Sequence, residues 1–161
     1  MRCARNRPSP RNDCPNAYDE AVKGVGGIVH AAAILLGEAE REKVIPPCIQ
    51  GNLAGFQSAL KESGIKSLAV TSSSCAALLP VANTRMVVTK HTWNDAIFEV
   101  IRTNPAATPY ELYAAGKTEA ERALWKAVQE HKPSFQVAMI LPGANYGFHI
   151  RAMGETVPTI D

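Results

Sequence analysis

The stretch "ELYAAGKTEAERALWKAV", residues 111–128, decides the fold and the chemistry of this chain. Immediately before it, Thr108 is placed to N-cap a helix. Pro109 suits the first helical position, and Glu111 completes a capping box. The spacing predicts a helix from there to about His131. Tyr113, Lys117, Ala120 and Leu124 follow one another at intervals of 4, 7 and 11 from the first, the stripe that must face the core. An exposed face has no need to align a tyrosine with buried leucines. A lysine one turn from a phenol favours the phenolate, because an opposite charge at about 4–6 Å lowers an acid's pKa. Tyr113 and Lys117 are therefore candidates for proton transfer.

Working outward, the helix lies between apolar runs. "FQVAMILP" (135–142) follows it as a buried strand ending at a proline, and "KSLAVTSSS" (66–74) precedes it as a strand that turns polar. "GIVHAAA" (27–33) is a third strand. "IPPCIQGNLAGFQSALKESG" (45–64) reads as a helix entered through its prolines and stopped by Gly64. Ile49, Leu53, Phe56 and Leu60 share its apolar face, while Gly51, Gly55 and Ala59 form a small-residue stripe fit for close approach of another backbone. "AYDEAVKG" (17–24) reads as a short helix with Gly24 near its C-cap. Residues 75–107, with Pro80 and Pro105 inside, read as one long irregular stretch, a length usually tied to function. The alternation of helix and strand argues for an α/β parallel sheet with covering helices.

In such sheets ligands bind beyond the carboxyl ends of the strands. The residues there are His30, Ala31 and Ala32; Thr71, Ser72, Ser73 and Ser74; and Pro142 and Gly143. A serine hydroxyl at the middle strand end, with Tyr113 and Lys117, makes a site for moving a proton to or from a carbonyl oxygen.

Bulk properties limit the alternatives. The chain has 161 residues, 46% hydrophobic and 20% charged, with a net charge of +2. These suit one soluble domain and argue against a nucleic-acid surface. No apolar run approaches the roughly 20 residues of a membrane span, and no apolar segment near Met1 resembles a secretory signal. The four cysteines, at 3, 14, 48 and 75, form no CxxC pair, which favours free thiols and a reducing, cytoplasmic setting. The histidines at 30, 91, 131 and 149 lack zinc-ligand spacing. Residues 1–16 hold four Arg, three Pro and one acid, and read as a disordered basic tail. Residues 17–147 read as the ordered domain, and 148–161 as an irregular end.

The YxxxK helix, the TSS strand end and the LPG strand end together resemble the extended short-chain dehydrogenase/reductases, within the NAD-dependent epimerase/dehydratase group. The subgroup is that of the fungal aldehyde and ketone reductases related to dihydroflavonol reductase. The resemblance covers about residues 17–147. It implies a partial Rossmann-type domain, an NADP or NAD cofactor (NADPH by resemblance alone) and a small carbonyl substrate, with fungal secondary metabolism as one setting. It implies Tyr113 as general acid/base, Lys117 as holder of the nicotinamide ribose, and Ser73, or Ser74 one register away, as the serine. Thr71, Pro142 and Gly143 would lie near the nicotinamide, and His30 and Ala31 along the cofactor.

The same resemblance predicts what is absent. The glycine-rich loop that cradles a pyrophosphate follows a first strand, whereas "GVGGIV" (24–29) precedes one. The chain is thus expected to be the middle of a reductase, truncated at both ends. The Gly27–Ala33 strand is expected as a raw sheet edge, open to another copy or to a partner. Weak cofactor binding and poor turnover follow, the alternative being a non-catalytic remnant or interaction protein. A serine hydrolase is a distant third, because no GxSxG elbow surrounds the serines.

Overall fold

A computed structural model describes residues 13–33, 40–104 and 106–145. The segments 1–12 and 148–161, expected as a tail and an irregular end, lie outside the described residues. Residues 13–16 lie within them, in turns, where the Asn16 side chain accepts a 2.6 Å hydrogen bond from Lys61.

Three strands form one parallel sheet in the order β1-β2-β3: β1 is Gly27–His30, β2 is Ser67–Thr71 and β3 is Gln136–Ile140. Val29 pairs with Ala69, and Ala69 with Ala138, so these three form one row across the sheet. Two long helices, α1 (Arg41–Lys61) and α3 (Pro109–His131), pack on each other and against one face. A 3₁₀ turn, Ser74–Ala76, follows β2, and a short helix, α2, spans Ala96–Thr103.

Helix α3 forms as its sequence demands. Thr108 Oγ1 accepts from the Glu111 amide and the Glu111 carboxylate accepts from the Thr108 amide, the reciprocal capping box. Lys132, left-handed at φ 46° and followed by Pro133, closes the other end. Leu124 is fully buried with Phe56, Leu68, Val70 and Phe135 in one core cluster. A second cluster joins Val44 and Cys48 of α1 to Leu112 and Ala115 of α3 and Ile97 of α2.

Several expectations need correction. Residues 17–24 are a run of turns rather than a helix. A segment this short, ended by glycines, does not offset the cost of helix nucleation. Gly24 does adopt a left-handed φ of 69°, and its amide donates to Glu62. Helix α1 begins at Arg41, so Pro46 and Pro47 lie inside it. Neither proline has an N–H to donate back along the helix, which is tolerated because the preceding turn is exposed at Glu42 and Lys43. The stretch 75–107 is not wholly irregular. Helix α2 is held by tertiary contacts: Ile97 and Ile101 are buried, and the Arg122 guanidinium lies over Trp93 at 5.1 Å and Phe98 at 5.5 Å while pairing with Asp95. The parallel sheet with covering helices is as read, the helices lying on one face among the described residues: Val29 and Ile140, opposite them, are 78% and 53% exposed.

Candidate functional site

The carboxyl end of β2 meets the start of α3. The Ser72 amide donates to Ile140 and the Ser74 amide to Pro142, which ties the two strand ends together. The chain then turns. Ser73 is extended at the head of the 3₁₀ turn and is buried, whereas Ser74 is exposed. Ser73 Oγ accepts from the Cys75 amide and lies 2.8 Å from Cys75 Sγ. The Asn94 side chain donates to the Cys75 carbonyl at 2.8 Å and pins the turn from outside.

From α3, Tyr113 reaches this turn and its hydroxyl hydrogen-bonds the Ser73 side chain. One helical turn on, the Lys117 Nζ lies 5.7 Å from the Tyr113 ring centroid and donates to the Thr71 carbonyl at 3.2 Å. Gly116 allows this helix to sit close to α1: a Cβ there would be 3.1 Å from Cys48 Sγ. Ser73, Tyr113, Lys117 and Thr71 are thus gathered at one strand end. The Pro142 carbonyl joins through Ser74, while Gly143 is exposed with open space where its Cβ would be.

The electrostatics differ from the expectation that Lys117 lowers the Tyr113 pKa. Burial raises the Tyr113 phenol above its ordinary value, and the Ser73 hydrogen bond only partly offsets this. The ammonium lies over the ring and is engaged by a backbone carbonyl instead of the phenol oxygen. Lys117 is itself lowered, by burial first, with Cys48, Cys75 and Glu121 opposing. Near neutrality Tyr113 is therefore a protonated phenol, suited to giving a proton.

His30 ends β1 and is 5% exposed. Its ring bonds the Gly51 carbonyl and packs over Gly55, 3.4 Å from where a Cβ would sit. The small-residue stripe of α1 thus admits an imidazole instead of a backbone. Burial, then the Lys117 charge, lower the His30 pKa, so the ring is neutral. Among the described residues its Nε2 has no partner, and neither has the buried Tyr18 hydroxyl, whose ring meets His30 edge-on at 5.2 Å. Both line a pocket of about 290 Å³ with Ala31 and Ala32, along the outer edge of β1.

Sequence reasoning missed Glu121, and placed Ser72 at the strand end without giving it a role. Glu121 is 7% exposed and accepts from Ser72 Oγ at 2.6 Å. The signal was present: Tyr113, Lys117 and Glu121 recur every fourth residue. Among the described residues no His/Cys/Asp/Glu cluster could hold a metal, and no helix is long and apolar enough to cross a membrane.

No family model matches the chain. It is 34% identical over 135 residues to aldehyde reductase 2 of Sporidiobolus salmonicolor, covering 81% of this chain and 39% of that one. It is 29% identical over 141 residues to an NAD-dependent epimerase/dehydratase of Aspergillus terreus, covering 86% and 42%. Among solved structures, an engineered reductase from work on substrate inhibition in asymmetric catalysis superposes with a TM-score of 0.70 at 25% identity, over 82% of this chain and 41% of its own. The yeast methylglyoxal/isovaleraldehyde reductase Gre2 in complex with NADPH gives 0.71 at 20% identity, over 84% and 42%, a likeness of fold. The chain spans about two-fifths of the length of these relatives.

Proposed function

We propose, for a chain that belongs to the short-chain dehydrogenase/reductase family, that its β2–α3 junction is the proton-donating half of an NAD(P)-dependent carbonyl reductase site. The observation that carries this is the half-buried, protonated Tyr113 phenol on Ser73, with Lys117 one turn away. The residues present fit a nicotinamide cofactor. His30 offers a bare acceptor at the strand end, beside Ala31 and Ala32 in an open pocket, and Lys117 stands beside Thr71. A bound nicotinamide would supply the hydride. Ser73 would hold the carbonyl oxygen by a hydrogen bond, and Tyr113 would give that oxygen its proton as the carbon is reduced. Lys117 would stabilise the resulting phenolate and hold a ribose hydroxyl. Small aldehydes or ketones are the substrate class, with NADPH the preferred reductant and a fungal secondary pathway the setting.

A second reading rests on the edge of β1. Val29 is exposed there beside the Tyr18 and His30 atoms that have no partner among the described residues. Another copy or a partner chain would cover this edge.

The experiment is NADPH consumption with a panel of aromatic aldehydes, alongside cofactor titration by fluorescence. Carbonyl-dependent oxidation of NADPH, lost in Tyr113→Phe, supports the reading. Turnover that survives Tyr113→Phe and Ser73→Ala overturns the assignment.

A further inference from the structure

We propose that Glu121 is a positioning residue of this site, holding the turn that aims Ser73 at Tyr113 and supplying the counter-charge to Lys117. The proposal rests on the reading of Ser73, Tyr113 and Lys117 as the acid–base group. Three observations carry it.

The first is burial. Glu121 is 7% exposed, on a helix whose other acids, Glu111, Glu119 and Glu130, are half-buried or exposed. A carboxylate is placed in such a position only with partners. The second is its partner. Ser72 is 4% exposed and its hydroxyl donates to Glu121 Oε2 at 2.6 Å. Ser72 is the residue between the Thr71 carbonyl that receives Lys117 and the Ser73 hydroxyl that meets Tyr113. One hydrogen bond thus fixes the chain at the middle of the site. The third is spacing. Glu121 is four residues beyond Lys117, on the same helix face. The ionisable groups facing Lys117 come from every element around it: His30 from β1, Cys48 from α1, Cys75 from the 3₁₀ turn and Tyr113 and Glu121 from α3. Of these Glu121 is the one ordinarily anionic at neutral pH.

The two roles can be separated. Glu121→Gln keeps an oxygen for Ser72 and removes the charge. Ser72→Ala keeps the charge and removes the tether. Titration of the Lys117 amine and the Tyr113 phenol, followed by NMR with ¹⁵N-lysine and ¹³C-tyrosine labels in the whole chain, reads both without any need for turnover. The Lys117 midpoint should fall in Glu121→Gln and hold in Ser72→Ala. The Tyr113 midpoint should rise in Ser72→Ala as the Ser73 hydrogen bond loosens. In kinetics, Ser72→Ala should lower kcat by about 10- to 100-fold with little change in KM for the carbonyl. A Lys117 midpoint unmoved in folded Glu121→Gln overturns the counter-charge role, and a Tyr113 midpoint unmoved in Ser72→Ala overturns the tether. If Glu121→Gln does not fold, Ser72→Ala, which removes a single oxygen, decides the tether, and Glu121→Asp, which draws the carboxylate back by one methylene, decides the counter-charge: the Lys117 midpoint should fall there, and an unmoved one overturns that role. Absence of turnover in the unsubstituted chain would count against the reductase reading and leave the titrations to judge Glu121.

Discussion

At the carboxyl end of β2, Ser72 donates to Glu121, Ser73 lies on Cys75 and Lys117 reaches the Thr71 carbonyl. One strand over, along the outer edge of β1, the Tyr18 hydroxyl and His30 Nε2 are equally buried and have no partner among the described residues. Both regions belong to one sheet and share one helix layer. A buried polar atom without a partner costs about 1–3 kcal/mol, so the second region carries a penalty that the first does not. Ser73, Tyr113 and Lys117 are held by the chain's own contacts, while the pocket beside them presents an acceptor to something else. In the proposed reductase this division is chemical. Proton transfer depends on a geometry internal to α3 and β2, and the grip on a second molecule depends on the side the described residues leave open.

The largest effect that could break the contrast is loss of the phenol. Tyr113→Phe should cut any carbonyl reduction by about 10²- to 10⁴-fold, the usual contribution of a positioned acid, with the fold unchanged by circular dichroism. An equal loss from His30→Gln, measured the same way, would show that the chemistry is not confined to the β2–α3 junction.

The next largest tests the open region through pH. The folded His30 pKa lies below that of the unfolded chain, with burial the main cause and Lys117 the second. Above about pH 6.5, the unfolded value, His30 is neutral in both states and adds no pH dependence. As pH falls below 6.5 the unfolded chain takes up the proton first, so stability falls until the folded pKa is passed. The slope from one group is at most about 1.4 kcal/mol per pH unit. Urea midpoints should therefore drop between pH 7.5 and 5.5, and the drop should shrink in His30→Gln. An unchanged drop would mean that His30 is not held neutral.

How much of this was legible in the sequence depended on whether local signals agreed with tertiary ones. Helix α3 has length, a capping box and a stop signal, all consistent, and its range came out as read. Helix α2 has eight residues and no side-chain cap, and rests on Ile97, Ile101 and the Arg122 stack, none of which has a local signature. Pro46 and Pro47 misled because a proline is easiest at a helix start, yet an exposed preceding turn tolerates it. For the site, the spacing of Tyr113 and Lys117 and the serine run marked the residues that the fold gathers. It did not give their electrostatics, because whether the ammonium faces the phenol oxygen or the ring is set by the Thr71 carbonyl, far away in sequence. Glu121 was passed over because a glutamate on a helix usually belongs to the solvated face.

A smaller effect sharpens the contrast at the finished end. Thr108→Ala removes one half of the α3 capping box and should cost about 1 kcal/mol in urea unfolding. Because the cap lies five residues before Tyr113, the same variant should loosen the phenol's contact with Ser73, seen as faster amide exchange over residues 110–114. Exchange confined to residues 108–110 would show that packing against α1, at Gly116 and Cys48, holds the site without its cap.

The smallest effect is expected at Val29, and its smallness is the point. The side chain is 78% exposed and shares a row with Ala69 and Ala138 on the face opposite the helices. Thr is also β-branched and keeps the strand preference, so Val29→Thr should change the unfolding free energy by no more than about 0.5 kcal/mol. The same change replaces an exposed methyl by a hydroxyl on an apolar sheet surface next to an open edge. If that edge is where copies meet, sedimentation should show weaker self-association in Val29→Thr at unchanged stability. A loss of stability well beyond 0.5 kcal/mol would mean that Val29 is covered in solution, and the contrast between a closed strand end and an open edge would fail on the side of the edge.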